Sequence, residues 1–287
     1  MLIANHQLNN EQLTALDALC AACRIADGNV IPVYKNILSQ QRDILCNILY
    51  YQEDQLVGFL SIYFFYEDAC EVTLMVRPDY RRKGIALEML SQALPMIRAE
   101  VKNTVIFSTV HTSESTCLKA KGLRYKSSDH EMIRSDHAPI VAKNSAIVHR
   151  SACPRDISAL CVIDRVCFPD QDPTTSDRFL ALLNDTNYSL FVACLGDNVI
   201  GKAHVGWQPH GAHFSDIAII PDMQGRGFGQ SLLTHCINHA LAARKFNLSL
   251  LVEAKNKDAL KLYQKLGFFI SNACDYWAIS VNALCRL

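Results

Sequence analysis

The 287-residue sequence has no excess charge of either sign, with 28 Lys+Arg against 28 Asp+Glu. A polyanionic partner needs a basic surface, and neither this balance nor any long basic run provides one, which argues against nucleic acid. No stretch of about 18 consecutive apolar residues occurs, so no membrane-spanning helix is expected. The start, Met1-Leu2-Ile3-Ala4-Asn5-His6, lacks the basic and apolar segments of an export signal. Together these absences predict a cytoplasmic protein with no membrane partner. Paired metal-ligand cysteines are missing as well. Cys20-Ala21-Ala22-Cys23 is the one CxxC; it falls in a helical pattern with Leu13, Leu16 and Leu19 and has no second pair, so core packing is expected. The 12 cysteines spread from Cys20 to Cys285 in a chain far longer than disulfide-stapled scaffolds, which predicts reduced thiols. His204, His210 and His213 match no metal spacing, and no metal is predicted.

What is present suffices for buried cores: 50% of residues are hydrophobic and 20% charged. The length suggests two domains of about 140 residues each. An internal repeat supports that division. The segment from Glu71 reads through Pro78-Asp79 to Arg81-Arg82-Lys83-Gly84-Ile85-Ala86. The segment from Phe214 reads through Pro221-Asp222 to Gln224-Gly225-Arg226-Gly227-Phe228-Gly229, in the same order and without a gap. About 40 residues further on, Lys121-Gly122-Leu123 answers Leu266-Gly267-Phe268.

Apolar periodicity fills in each half. In the first, Asn10 caps a helix to about residue 26, strands cover 44–50, 57–65 and 72–76, and a helix opens after Gly84. A strand at 105–110, a helix at 113–121 and a last strand at 124–133 follow. In the second, a helix covers 155–167, with strands at 190–194, 199–207 and 214–220, a long helix after Gly227, a strand at 248–253, a helix at 257–266 and late strands to 281. Pro95 should kink or end the first half's long helix early. Residues 135–145 read as the linker, giving domains 1–136 and 146–287.

The turn after residue 220 carries three glycines in six residues and opens an amphipathic helix, so free backbone N–H groups meet the positive end of a helix dipole. Glycine lets a phosphate approach the backbone closely. The pattern is neither GxGxxG nor GxxxxGK[ST], which removes the dinucleotide and P-loop readings.

Gln224, Gly227 and Gly229 meet the pattern [QR]-x-x-G-x-[GA], and the segment resembles motif A of the GNAT superfamily of acyl-CoA-dependent N-acyltransferases. The run from Asn256 through Ala259 and Tyr263 to Gly267-Phe268 is similar to that family's second signature, in the right order. Arg81, Gly84 and Ala86 satisfy the first pattern in the other half. The resemblance therefore implies an α/β (α+β) fold of two GNAT-like domains, each a mixed, mostly antiparallel central sheet flanked by helices. It also implies acetyl-CoA as co-substrate, held by Ile217, Ala218, Ile219, Gln224, Gly225, Arg226, Gly227, Phe228, Gly229 and Asn256, with Tyr263 near the thioester.

The implied reaction moves an acetyl group to a primary amine of a small molecule or peptide by direct attack. Tyr263 would protonate the departing thiolate, whose pKa of about 8.5 makes acid help useful but modest. Glu253 and Asp216 are the candidates for the base. In the first half, counting back from Gly122 puts Leu118 where Tyr263 stands and His111 where Asn256 stands, so that half is expected to be degenerate. Arg81, Lys83, Gly84 and Ala86 could still hold CoA there. The alternatives are an acetyl-CoA sensor or scaffold without catalysis, and a transferase using aminoacyl-tRNA, which the charge balance disfavours. Nothing in 170–176 or 208–212 identifies the acceptor, and either a monomer or a homodimer fits the sequence.

Overall fold

The computed structural model describes residues 1–101, 103–111, 115–141, 147–169, 176–284 and 286. In chain order the first part holds β1 (Leu2–Asn5), α1 (Asn10–Asp27), α2 (Lys35–Leu38), β2 (Asn47–Gln52), β3 (Gln55–Tyr63), β4 (Ala69–Val76), α3 (Ile85–Glu100), β5 (Thr104–Val110), α4 (Ser115–Ala120) and β6 (Arg124–Arg134). Then come β7 (Ile147–Ser151), α5 (Ile157–Cys167), α6 (Ser176–Asn184), β8 (Tyr188–Leu195), β9 (Asn198–Trp207), β10 (Gly211–Ile219), α7 (Phe228–Ala242), β11 (Asn247–Glu253), α8 (Lys257–Lys265), β12 (Phe269–Ser280) and α9 (Val281–Leu284). None of the described helices is long and apolar enough to cross a membrane.

Contacts divide the chain into two compact units: Met1–His130 with Glu253–Lys255 and Asn272–Leu287, and Glu131–Val252 with Asn256–Ser271. This division crosses the bounds expected at 1–136 and 146–287. The C-terminal strand β12 gives the reason. Its residues Cys274 to Ser280 pair antiparallel with β5, from Val110 to Thr104, and Trp277, Ile279, Val281 and Leu284 join the core around α3. Strand β5 thus gains a neighbour from nearly the other end of the chain, which no local pattern signals.

In the first unit β1 to β4 form an antiparallel run, β4 and β5 run parallel, and β12 is antiparallel to β5. Helix α1 buries Leu16, Leu19 and Cys23, and a capping box of Asn9 with Gln12 fixes its start. The cap is Asn9 and not the expected Asn10, because Gln12 then stands at the third helical position and bonds back. Helix α3 runs unbroken through Pro95, contrary to expectation. Ile85, Met89, Ala93 and Ile97 form a buried stripe that holds the helix down, while Pro95 lies on the exposed face where water can satisfy the carbonyl it leaves unpaired.

In the second unit β7 to β10 are successively antiparallel and β10 is parallel to β11. Helix α7 buries Leu233, Ile237, Ala240 and Leu241 against this sheet, as its spacing predicts. The described cysteines are all free. The expected starts of α4 at Ser113 and of the second domain at residue 146, the end of the linker, and most of 170–176 lie outside the described residues.

Candidate active site

Strand β10 leads directly into the glycine turn of the second unit. Parallel pairing with β11 stops at Phe214 and Leu250, and on the other side the ladder with β9 slips between Ser215 and Ala218. From that bulge on, Ile217, Ala218 and Ile219 run into the turn with no further pairing to β11. A one-turn 3₁₀ segment at Pro221–Met223 follows. Gln224 then folds back, and its Nε2 donates to the Ile219 carbonyl at 2.8 Å. Gly225 (φ 73°) and Gly227 (φ 81°) adopt the left-handed conformation that L side chains avoid.

Gly227 is the N-cap of α7 and no side chain caps the helix, so the first N–H groups after it lack intrahelical partners. A Cβ on Gly225 or Gly227 would meet nothing within 4 Å, whereas one on Gly229 would touch Ile219 and Leu262 at 3.7 Å. The helix start therefore packs down through Gly229 and presents an open, donor-rich cradle through Gly225 and Gly227. Arg226 turns back onto the Asp222 carbonyl at 3.1 Å, and Phe228 opens the helix against the core.

Tyr263 lies on α8 and is 8% exposed, edge-on to Phe268 with centroids 6.3 Å apart. Burial pushes its phenol up to about 12, so it stays protonated at neutral pH. Asn256 caps α8, accepting from the Ala259 N–H at 3.1 Å, which leaves its side-chain amide N–H groups available. Glu253 ends β11 and pairs with Lys255 at 2.8 Å.

Asp216 sits at the bulge with φ 48°, and its carboxylate is 3.3 Å from His204 Nδ1. His204 Nε2 in turn lies 3.2 Å from Lys202 Nζ, and Lys202 is ion-paired with Asp164. Lys202 and Asp164 carry no expectation from the motifs. The signal was the alternation in β9, which puts Lys202 and His204 on one face of an otherwise apolar strand. His204 is buried among charges. His213 bonds Ser249 through Nδ1 at 3.1 Å, and burial lowers its pKa. No cluster of His, Cys, Asp or Glu among the described residues could hold a metal.

The first unit repeats the turn with altered chemistry. Arg81 Nε donates to the Val76 carbonyl at 3.0 Å, the counterpart of Gln224 on Ile219. Its two remaining nitrogens bind both oxygens of Asp27 at 2.7 Å, so Arg81 is neutralised and tied down. Arg82 takes the left-handed φ of 59° where the second unit has Gly225, Gly84 caps α3 at φ 85°, and Lys83 lies over the Tyr80 ring at 4.8 Å. Pairing of β4 with β5 ends at Thr73 and Ser108. A cavity of about 830 Å³ opens beyond that point, lined among others by Asp27, Arg82, Gly84, Ala86, Ser108 and Leu118. Leu118, which cannot donate a proton, lines this cavity. His111 Nδ1 is 2.9 Å from Asp275.

The family described as "Acetyltransferase (GNAT) family" matches residues 14–116 and 157–268. The chain belongs to that family. It is 28% identical to a mycothiol acetyltransferase of Mycobacteroides abscessus over 285 residues, covering 92% of this chain and 94% of the relative. It is 26% identical to that of Mycolicibacterium smegmatis, covering 91% and 93%. Among solved structures, a GCN5-related N-acetyltransferase from Sphaerobacter thermophilus has a TM-score of 0.80 at 17% identity, covering 98% of this chain and 96% of that one. A tandem GNAT protein from the clavulanic acid biosynthesis pathway has a TM-score of 0.73 at 13% identity, covering 98% of both. The GNAT fold therefore extends over the whole acetyltransferase-family chain, as two domains.

Proposed function

We propose that this GNAT protein transfers an acetyl group from acetyl-CoA to a primary amine of a small molecule or peptide, with the reaction in the second unit. The observation that carries the reading is the open cradle of Gly225 and Gly227 at the uncapped start of α7, beside a β10 whose edge toward β11 is free after Phe214. In this reading the turn N–H groups bind the pyrophosphate, and backbone groups of Ile217, Ala218 and Ile219 with the Asn256 amide hold the pantetheine arm.

Acetyl-CoA supplies the acetyl as a thioester, and the protein's own groups do the rest. A carboxylate takes the proton from the incoming ammonium, which leaves a neutral amine to form the C–N bond. Tyr263 gives its proton to sulfur as the C–S bond breaks and regains one from the amide nitrogen. The relatives' names make a thiol-bearing small molecule one acceptor to try. Turnover is tested by thiol release with a panel of amines, for the parent and for Tyr263→Phe. Turnover of at least one amine that falls about 10- to 100-fold in the variant supports the reading. A protein that binds CoA and turns over no amine is instead an acetyl-CoA sensor.

For the first unit we propose binding without catalysis. The cavity at the Arg81–Gly84 turn has room for the ligand, while Leu118 removes the acid.

A further inference from the structure

Within the second unit, an unbroken line of polar groups crosses the apolar space between α5, α6 and the sheet. Asp164 comes from α5, Lys202 and His204 from β9, and Asp216 from β10. Lys202 is 0% exposed, an extreme position for a lysine. Its ammonium meets the Asp164 carboxylate, His204 Nε2, and the rings of Phe168 and Phe179 at 5.5 and 5.3 Å. His204 is 5% exposed and Asp216 22%, so the line opens toward solvent at the Asp216 end.

We propose that Asp164 and Lys202 lock His204 in its Nδ1–H tautomer, and that His204 in turn positions Asp216 as the base that deprotonates the acceptor amine. An ammonium has three donors and no acceptor, so the imidazole nitrogen facing Lys202 must be the one with the lone pair. The proton is then on Nδ1, the ring nitrogen 3.3 Å from the Asp216 carboxylate. His204 cannot itself be the base, since its lone pair is taken. Burial first and Lys202 second push the imidazole down to about 4, while Asp216 and Asp164 pull it up and Arg178 on α6 pushes it down. The ring therefore stays neutral at working pH. The other titrating group near Asp216 is His213 on β10, which burial keeps low and which Glu131 and Asp216 raise. Asp216 adopts a left-handed backbone at the bulge, a conformation that costs an aspartate little and turns its carboxylate toward His204 at the point where β10 and β11 part.

The inference rests on the acetyl-transfer reading and assigns its base. The ammonium of the acceptor loses a proton to the Asp216 carboxylate. The neutral amine forms the C–N bond, the C–S bond breaks, sulfur takes the Tyr263 proton, and Tyr263 recovers one from the new amide nitrogen. Asp216 then releases its proton to water, which closes the balance. His204, Lys202 and Asp164 are positioning residues, since none touches the reacting atoms.

Two readouts test the lock. Long-range ¹⁵N–¹H spectra of the histidine-labelled protein, with His204 assigned by its loss in His204→Leu, should show an Nδ1–H ring that does not titrate between about pH 5 and 8. Replacing Asp164 by Leu and Lys202 by Met together avoids stranding one buried charge, and it should free Nε2 so that the ring is no longer confined to the Nδ1–H tautomer. In parallel, kcat should fall about tenfold with KM little changed in His204→Leu and stay near the parent in His204→Asn, which keeps an N–H near the Nδ1 position. An Nε2–H ring in an active parent, or equal kcat for the Leu and Asn variants, overturns the lock. A parent inactive on every amine overturns the transfer reading and the base with it, even if the Nδ1–H ring is found.

Discussion

Gln224 reaches back over the turn to the Ile219 carbonyl at 2.8 Å, joining the first residue of the glycine motif to the last residue of β10. Arg81 makes the equivalent bond to Val76 at 3.0 Å in the first unit. The motif position that accepts either Gln or Arg is thus explained by one N–H donor aimed at one strand carbonyl. This bond fixes where the cradle lies relative to the open strand edge. Gln224→Ala removes a partly buried hydrogen bond of about 1 kcal/mol, so CoA affinity should fall about fivefold with the folded state retained. Titration calorimetry against the parent checks it, and unchanged affinity would mean the turn holds its place without Gln224.

Tyr263→Phe leaves the packing against Phe268 in place and removes a phenol that burial has raised to about 12. Melting temperature should stay within a few degrees of the parent while kcat falls. The loss should shrink with an acyl donor whose thiol is more acidic, since a better leaving group needs less acid help. An equal loss for both donors would assign Tyr263 a packing role.

Stability should depend on pH through the buried histidines. His149 and His235 stack at 5.3 Å, and both pKa values are lowered, by burial first and by the neighbouring His235 and His239 second. The unfolded chain titrates near about 6.5. Their contribution is therefore complete above that pH and is lost as pH falls toward the folded values, because the unfolded state binds protons the native state refuses. Urea midpoints of the parent should drop between about pH 7.5 and 5.5 more than those of the double variant His149→Asn/His235→Asn. Equal drops would place the pH sensitivity elsewhere.

Much of this was legible in the sequence, and the reasons are local. The two Pro-Asp-to-glycine segments need particular backbone angles and so write themselves into residue types. Amphipathic α7 and the strand runs of both halves follow from side-chain period. The strand partner of β5 was not legible, because β12 lies more than 150 residues away in the chain and any apolar strand of that length would fit the same pattern. Pro95 read as a break because sequence alone does not say which face of α3 it occupies. The Lys202–Asp164 pair is not legible in the sequence, since a lysine in a strand is usually solvated and its carboxylate comes from a helix with no motif. Short elements such as β1, β7 and α6 carry too few residues for period to register.

The first unit should bind CoA independently. Gly84→Asp places a side chain and a negative charge at its φ 85° turn, and should remove one binding site per chain while leaving the amine turnover of the second unit within about twofold. Calorimetric stoichiometry and the thiol-release rate together check this. A stoichiometry unaffected by Gly84→Asp would show that the cavity of about 830 Å³ is not a CoA site.

The proposed seat of acetyl-CoA on the backbone of Gly225 and Gly227 at the start of α7 is tested by CoA titration calorimetry of Gly227→Asp beside Gly227→Ala. Both replacements pay the left-handed backbone strain of about 1–2 kcal/mol, but only aspartate puts an anion where the phosphates would sit. The alanine variant should keep a weakened second-unit site and the aspartate variant should lose it, with both still folded by circular dichroism. Parent-like CoA affinity at that site in the folded aspartate variant would show that the phosphates lie elsewhere.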